Sequence, residues 1–90
     1  MGKEEELVKT FEKAASDIKN SKLKLDEETM GSLYGYYKQA TIGDCNIEQP
    51  SFFDLKGKAK YDAWMQYKGM SKDHAMKRYI KKVEKLLEKK

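Results

Sequence analysis

His74 and Cys45 are the single histidine and the single cysteine of this 90-residue chain, so together they make its one thiol–imidazole pair. A nucleophilic cysteine needs a base within hydrogen-bonding reach, and that base is usually oriented by a third group. His74 follows Lys72 and Asp73 early in a helical stretch, and Cys45 falls in a turn-rich segment, so both are expected in solvent without chemistry. One of each is also too few for a structural zinc site. The 15 acidic residues are scattered over solvated faces, with no sign of a catalytic pair. The sequence therefore reads as a non-enzyme with no cofactor or metal. A thioesterase built on His74 and Cys45 is the catalytic alternative.

Binding chemistry is better represented. Tyr34-Gly35-Tyr36-Tyr37-Lys38 is the densest aromatic and basic segment. At about 100° per helical residue, Tyr34, Tyr37 and Lys38 share a face and Tyr36 points elsewhere. Three phenols in such a stretch are awkward to bury, because each hydroxyl needs a partner. Lys56 and Lys60, one helical turn apart, repel each other in an isolated helix, and an anion between them converts that repulsion into attraction. A tyrosine-rich core stripe and a solvated lysine face are the structural alternatives. The net charge of +4 is uneven: residues 1–45 carry 7 basic and 9 acidic groups, residues 46–90 carry 12 and 6. A basic half suits a phosphate ligand, a nucleic acid or an acidic membrane surface.

The elements that hold these residues read as all-α. Leu7, Phe11, Ala14, Ala15 and Ile18 recur at three- and four-residue spacing and predict a helix over 3–19. Asp26 suits an N-cap, and Met30, Leu33, Tyr34 and Tyr37 continue a second helix. Gly31 and Gly35 share one face of it, which fits either close helix packing or a wall beside a ligand. From Gly43 to Asp54 the period breaks at Gly43, Asp44, Asn46, Pro50 and Ser51. So long a connection suits helices that run parallel. A third helix over 55–68 carries the stripe Leu55, Ala59, Ala63 and Tyr67 with Trp64 beside it, and Gly69 suits its C′ position. Ser71 caps a fourth helix over 72–88, where Ala75, Met76, Tyr79, Ile80, Val83, Leu86 and Leu87 form the cleanest stripe. No apolar run approaches the ~20 residues that span a bilayer. Met1-Gly2-Lys3-Glu4-Glu5-Glu6 has no apolar signal core, and Glu6 spoils a myristoylation motif. With one cysteine, an intracellular, cytoplasmic domain over 1–90 is expected.

Several blocks together resemble one family. Phe11-Glu12-Lys13-Ala14-Ala15, the run from Tyr34 to Asp44, Gly57-Lys58-Ala59-Lys60-Tyr61-Asp62-Ala63-Trp64, and Ser71-Lys72-Asp73-His74-Ala75-Met76 leading to Tyr79-Ile80 are similar to the acyl-CoA-binding protein family, in its order and spacing. The resemblance implies a four-helix bundle of up-down-down-up topology with a long loop between helices 2 and 3. It also implies a non-catalytic carrier and pool former for fatty acyl-CoA. Lys38 and Lys60 match the lysines that hold the CoA head, Tyr34 the phenol that assists them, and Tyr37 the ring against the adenine. Lys19 and Lys56 match further basic contacts, and Tyr79 a fourth-helix residue bordering the ligand. Gly35 and Tyr36 of the tyrosine-rich block join the implied ligand site, with Met30 and Leu33 beside the tail. Phe11, Ala15, Ile18, Tyr79, Ile80, Val83 and Leu86 match the packing of the first helix on the fourth.

Gly31 stands where the family has a larger apolar residue, Leu25 where proline is common, Ser21 in place of an apolar residue and Tyr61 in place of tryptophan. The resulting expectation is a monomeric carrier of medium- to long-chain fatty acyl-CoA. It would make transient contact with acyl-CoA-using enzymes or membranes and none with nucleic acid. The alternative is a basic helical interaction module for nucleic acid or an acidic membrane surface. Arg78 is the lone arginine and no nucleic-acid motif is present, which weighs against that alternative.

Overall fold

The computed structural model describes residues 2–88; Met1, read above as part of the N-terminal segment, and the last two residues of the lysine-rich end lie outside them. Among the described residues the chain forms four helices and no strand: α1 (Gly2–Ser21), α2 (Glu27–Thr41), α3 (Leu55–Met65) and α4 (Lys72–Glu88). Side-chain caps fix three of the starts. Asp26 accepts from the Thr29 amide at 2.7 Å, Asp54 from the Gly57 amide at 3.0 Å and Ser71 from the His74 amide at 3.1 Å. Each satisfies an amide that has no partner within its helix.

The end of α3 differs from the sequence expectation. Its helix stops at Met65, and the chain continues through tighter turns in which the Tyr67 amide reaches Trp64 O and the Lys68 amide reaches Met65 O. Gly69, with φ +92°, serves the turn into α4 rather than the C′ position of α3. A local stripe continuing to Tyr67 gives no sign of this tightening.

Residue pairings define the topology. Phe11 meets Tyr79 while Asp17 and Ser21 share a cleft with Leu87, so α1 and α4 run in the same direction. Gly31 and Gly35 approach Ala63, and Tyr36 stacks on Tyr67, so α2 and α3 also run together. The Gln39 amide reaches Met70 O just ahead of α4, while Asp26 feels the charge of Lys82 near its far end, so α2 and α4 are antiparallel. This is up-down-down-up order, and the segment between α2 and α3 makes the crossover. Contacts run from α1 to α4, from α4 to α2 and from α2 to α3, in a molecule only 15 Å across its thinnest dimension. The main core is Phe11, Ala14, Leu33, Ala40, Ala75, Tyr79 and Val83. Ala15, Ile18, Ile80, Leu86 and Leu87 pack on its margin, as the α1–α4 stripes imply.

The crossover is tied down by polar contacts that no periodicity announces. Trp64 Nε1 donates to Gly43 O at 2.8 Å. Gln39, with no exposed surface, donates from Nε2 to Asp44 Oδ1 and to Met70 O, both at 2.8 Å. The Gly69 amide donates to the same Asp44 oxygen at 2.8 Å. One carboxylate thus joins the end of α2, the crossover and the turn before α4.

The Gly69 amide, then the Gln39 amide, hold the Asp44 carboxyl below its ordinary value of 3.8, with the Lys68 charge adding to them. The folded state therefore gives up this proton more readily than the unfolded chain. Its contribution to stability is complete above the unfolded value and disappears as pH falls through the lower folded value. Urea denaturation of wild type and Asp44→Asn at successive pH values checks this. The variant is expected to be the less stable at neutral pH, and the gap should close below about pH 4.

Candidate functional site

The two flanks of α2 serve different neighbours. Leu33 and Ala40 enter the α1–α4 core, and Tyr37 follows them, its ring stacked 5.3 Å from Phe11 and 5.9 Å from Tyr79. Gly31, Gly35 and Lys38 turn toward α3. Tyr34 and Tyr37 therefore diverge, although helical spacing groups them, because α2 lies between two partners and each takes one side. Tyr36 departs from both and stacks on Tyr67 at 4.1 Å, beyond the end of α3.

Gly31 and Gly35 have different reasons to be glycine. A Cβ at position 35 would collide with Ala63 O and the Tyr67 ring, so the missing side chain allows the backbones of α2 and α3 to approach. A Cβ at position 31 would meet only Ala63 Cβ, at an ordinary 3.7 Å. Gly31 instead opens a groove of about 680 Å³ between the two helices, within the usual range for a small-molecule site. Its floor and walls are Met30, Gly31, Leu55, Ala59 and Ala63, with Tyr34, Lys56, Lys60 and Glu27 adding polar groups. Leu55 is 75% exposed. Leu55 and Ala59 of the α3 stripe are thus exposed groove lining rather than buried core, whereas Ala63 is buried where α3 closes on Gly35, and Trp64 beside it anchors α3.

The lysines are held without ion pairs. Lys60 Nζ lies 5.8 Å above the Tyr34 ring and Lys38 Nζ 4.9 Å above Trp64, both within cation–π range. Among the described residues, ion pairs form at Lys13–Asp17 and Lys58–Asp62, leaving Lys19, Lys38, Lys56 and Lys60 unpaired. Tyr37 keeps 42% of its surface exposed beside Lys38. Burial, and then the neighbouring Tyr37, push the Tyr79 phenol above its usual value of 10.0. An apolar trench with a cationic, phenolic rim suits an amphiphile with an anionic head.

Of the candidate site residues, Met30, Tyr34, Lys56 and Lys60 converge on the groove. Lys38 approaches the same α2–α3 seam over Trp64. Leu33 is buried in the core and is not among the residues that line the groove, and Gly35 is packed beneath α3. Tyr36, Tyr37 and Tyr79 occupy aromatic stacks outside it, and Lys19 is exposed in the last turn of α1. His74 is exposed, whereas Cys45 is half-buried rather than free in solvent. No group of three metal-ligating side chains occurs among the described residues. Spacing did not single out Gln39, Asp44 and Trp64 as the fasteners of the seam; a polar Gln39 one helical turn ahead of the turn-forming Gly43-Asp44 pair was the available hint.

These features define an all-helical ligand-binding domain. The acyl CoA binding protein family model matches residues 8–83. A crystal structure of Oryza sativa acyl-CoA-binding protein 2 is similar at 42% identity and TM-score 0.88, covering 92% of each chain. A Moniliophthora perniciosa acyl-CoA-binding protein matches at 39% identity and TM-score 0.78, over 89% of this chain and 79% of that one. The solution structure of a Babesia bovis relative matches at 34% identity and TM-score 0.75, over 88% and 91%. The chain belongs to the acyl-CoA-binding protein family.

The two glycines should respond oppositely to a methyl group. Gly35→Ala is expected to cost about 1–3 kcal/mol through overpacking. Gly31→Ala should be neutral or stabilising by up to about 1 kcal/mol, as glycine weakens a helix interior relative to alanine. Urea unfolding of both variants measures the difference.

Proposed function

We propose that this protein binds fatty acyl-CoA esters of medium to long chain length. In this reading it serves as a cytoplasmic, monomeric carrier and pool former and does no chemistry on the ester. The observation that carries the reading is the α2–α3 groove, whose apolar lining of Met30, Gly31, Leu55, Ala59 and Ala63 meets Lys56, Lys60 and Tyr34 at one site. The family membership supports the same ligand class.

The acyl tail takes the apolar trench. Each buried methylene contributes about 0.8 kcal/mol, so a palmitoyl tail's fourteen contribute up to about 11 kcal/mol before the costs of association. The phosphates of the head meet Lys60 and Lys56, with Lys38 at the seam and Lys19 from α1 completing the cationic field. Lysine serves here as a point charge, and although Glu27 also lines the groove, neither Lys56 nor Lys60 is ion-paired among the described residues. Tyr34 adds a phenolic donor, and the exposed part of Tyr37 offers a surface for the adenine ring. Leu33, Gly35, Tyr36 and Tyr79 act through packing that sets the positions of Tyr34, Tyr37 and Lys38.

Calorimetric titration tests the proposal. Palmitoyl-CoA is expected to bind orders of magnitude more tightly than bare CoA. Lys60→Ala should weaken ester binding about tenfold or more, through loss of a charge-assisted contact, and Tyr34→Phe about two- to tenfold. Neither should unfold the protein. Equal affinity for ester and bare CoA would refute the carrier reading.

A further inference from the structure

The crossover ends, just ahead of α3, in an aromatic pair that nothing in the fold covers. Phe52 is 70% and Phe53 81% exposed, with their rings 4.2 Å apart. Leu55 follows them, and Met30 across the groove is also exposed. The pair is held by a defined turn: Ser51 Oγ accepts from the Phe53 amide at 3.2 Å, and the Asp54 amide donates to Ser51 O at 2.9 Å. Asp54, the carboxylate within this stretch, is engaged by the Gly57 amide at the start of α3. Exposed single hydrophobics are ordinary on a soluble protein, but a contiguous aromatic patch marks an interaction surface.

The flanking charges indicate the kind of surface that fits. Lys56 and Lys60 line the adjoining groove without an ion-pair partner among the described residues, while Lys58 is occupied by Asp62. Leu55 and Lys56 belong to both the patch and the groove mouth. We propose that Phe52, Phe53 and Leu55, flanked by Lys56 and Lys60, dock this end of the molecule on an anionic lipid bilayer. The rings enter the headgroup boundary and the lysines face the lipid phosphates. Reversible docking needs both contributions, since neither a few apolar side chains nor a few charges suffices alone. In this orientation the groove mouth adjoins the bilayer surface, so an amphiphile could pass between them with little exposure to water. That consequence rests on the acyl-CoA reading; the docking itself does not.

Co-sedimentation with vesicles, in the absence of acyl-CoA, tests the docking separately from the groove. Wild type should bind phosphatidylcholine vesicles containing about a third phosphatidylserine at least about tenfold more tightly than phosphatidylcholine alone, and rising salt should weaken that binding. The Phe52→Ser/Phe53→Ser double variant should lose at least about tenfold in vesicle affinity, and Phe53→Ser part of that. Circular dichroism and palmitoyl-CoA affinity in solution should be unchanged, because neither ring lines the groove. Absence of wild-type binding to the acidic vesicles would overturn the proposal, as would undiminished binding by the double variant. A concentration-dependent dimer in the ultracentrifuge, abolished by the double variant, would assign the rings to a second copy of the chain instead.

Discussion

Helix α2 has a neighbour on each flank, and its two sides obey different packing rules. Toward α1 and α4 it presents Leu33, Tyr37 and Ala40, which interlock with Phe11, Tyr79 and Val83 in an ordinary apolar core. Toward α3 it presents Gly31, Gly35 and Lys38, and contact there is between backbones as much as between side chains. A helix so short of apolar side chains on that flank cannot hold its partner along its whole length. The helices close tightly where Gly35 meets Ala63 and remain open where Leu55, Ala59 and Met30 face one another. The groove follows from that uneven contact.

Because α3 buries little besides Ala63 and Trp64, its position depends on directional bonds. Trp64 to Gly43, and Asp44 to Gln39 and Gly69, tie the beginning of the crossover to the end of α2, to the end of α3 and to the turn before α4. Gln39 donates from Nε2 to both Asp44 and Met70 O, and these two bonds fix the orientation of its buried amide. The lysines along the seam are kept over aromatic rings or in solvent rather than in ion pairs. These cations are therefore not committed to a carboxylate among the described residues.

Much of this was legible in the sequence because it depends on local rules. Asp26 and Ser71 mark helix starts by their chemistry, and the Phe11 and Tyr79 stripes give the α1–α4 packing by their period. The length of the segment from Gly43 to Asp54 implied the parallel crossover. Spacing failed where one pattern has two physical meanings. Leu55 and Ala59 continue what looks like a core stripe with Ala63 but stay exposed along a groove, because periodicity records which face is apolar and not whether another helix covers it. Gly31 and Gly35 look equivalent until the position of Ala63 separates them. The Gln39–Asp44–Gly69 contacts join distant segments through polar residues that show no period at all.

The proposed fatty tail lies between α2 and α3, over the floor that Gly31 opens. Intermolecular NMR contacts from a bound palmitoyl chain would locate it. Contacts are expected from the tail to the methyl groups of Met30, Leu55, Ala59 and Ala63. A smaller cleft of about 350 Å³ lies against Leu87 between α1 and α4. Tail contacts to Leu87, with none to Ala59 and Ala63, would contradict it.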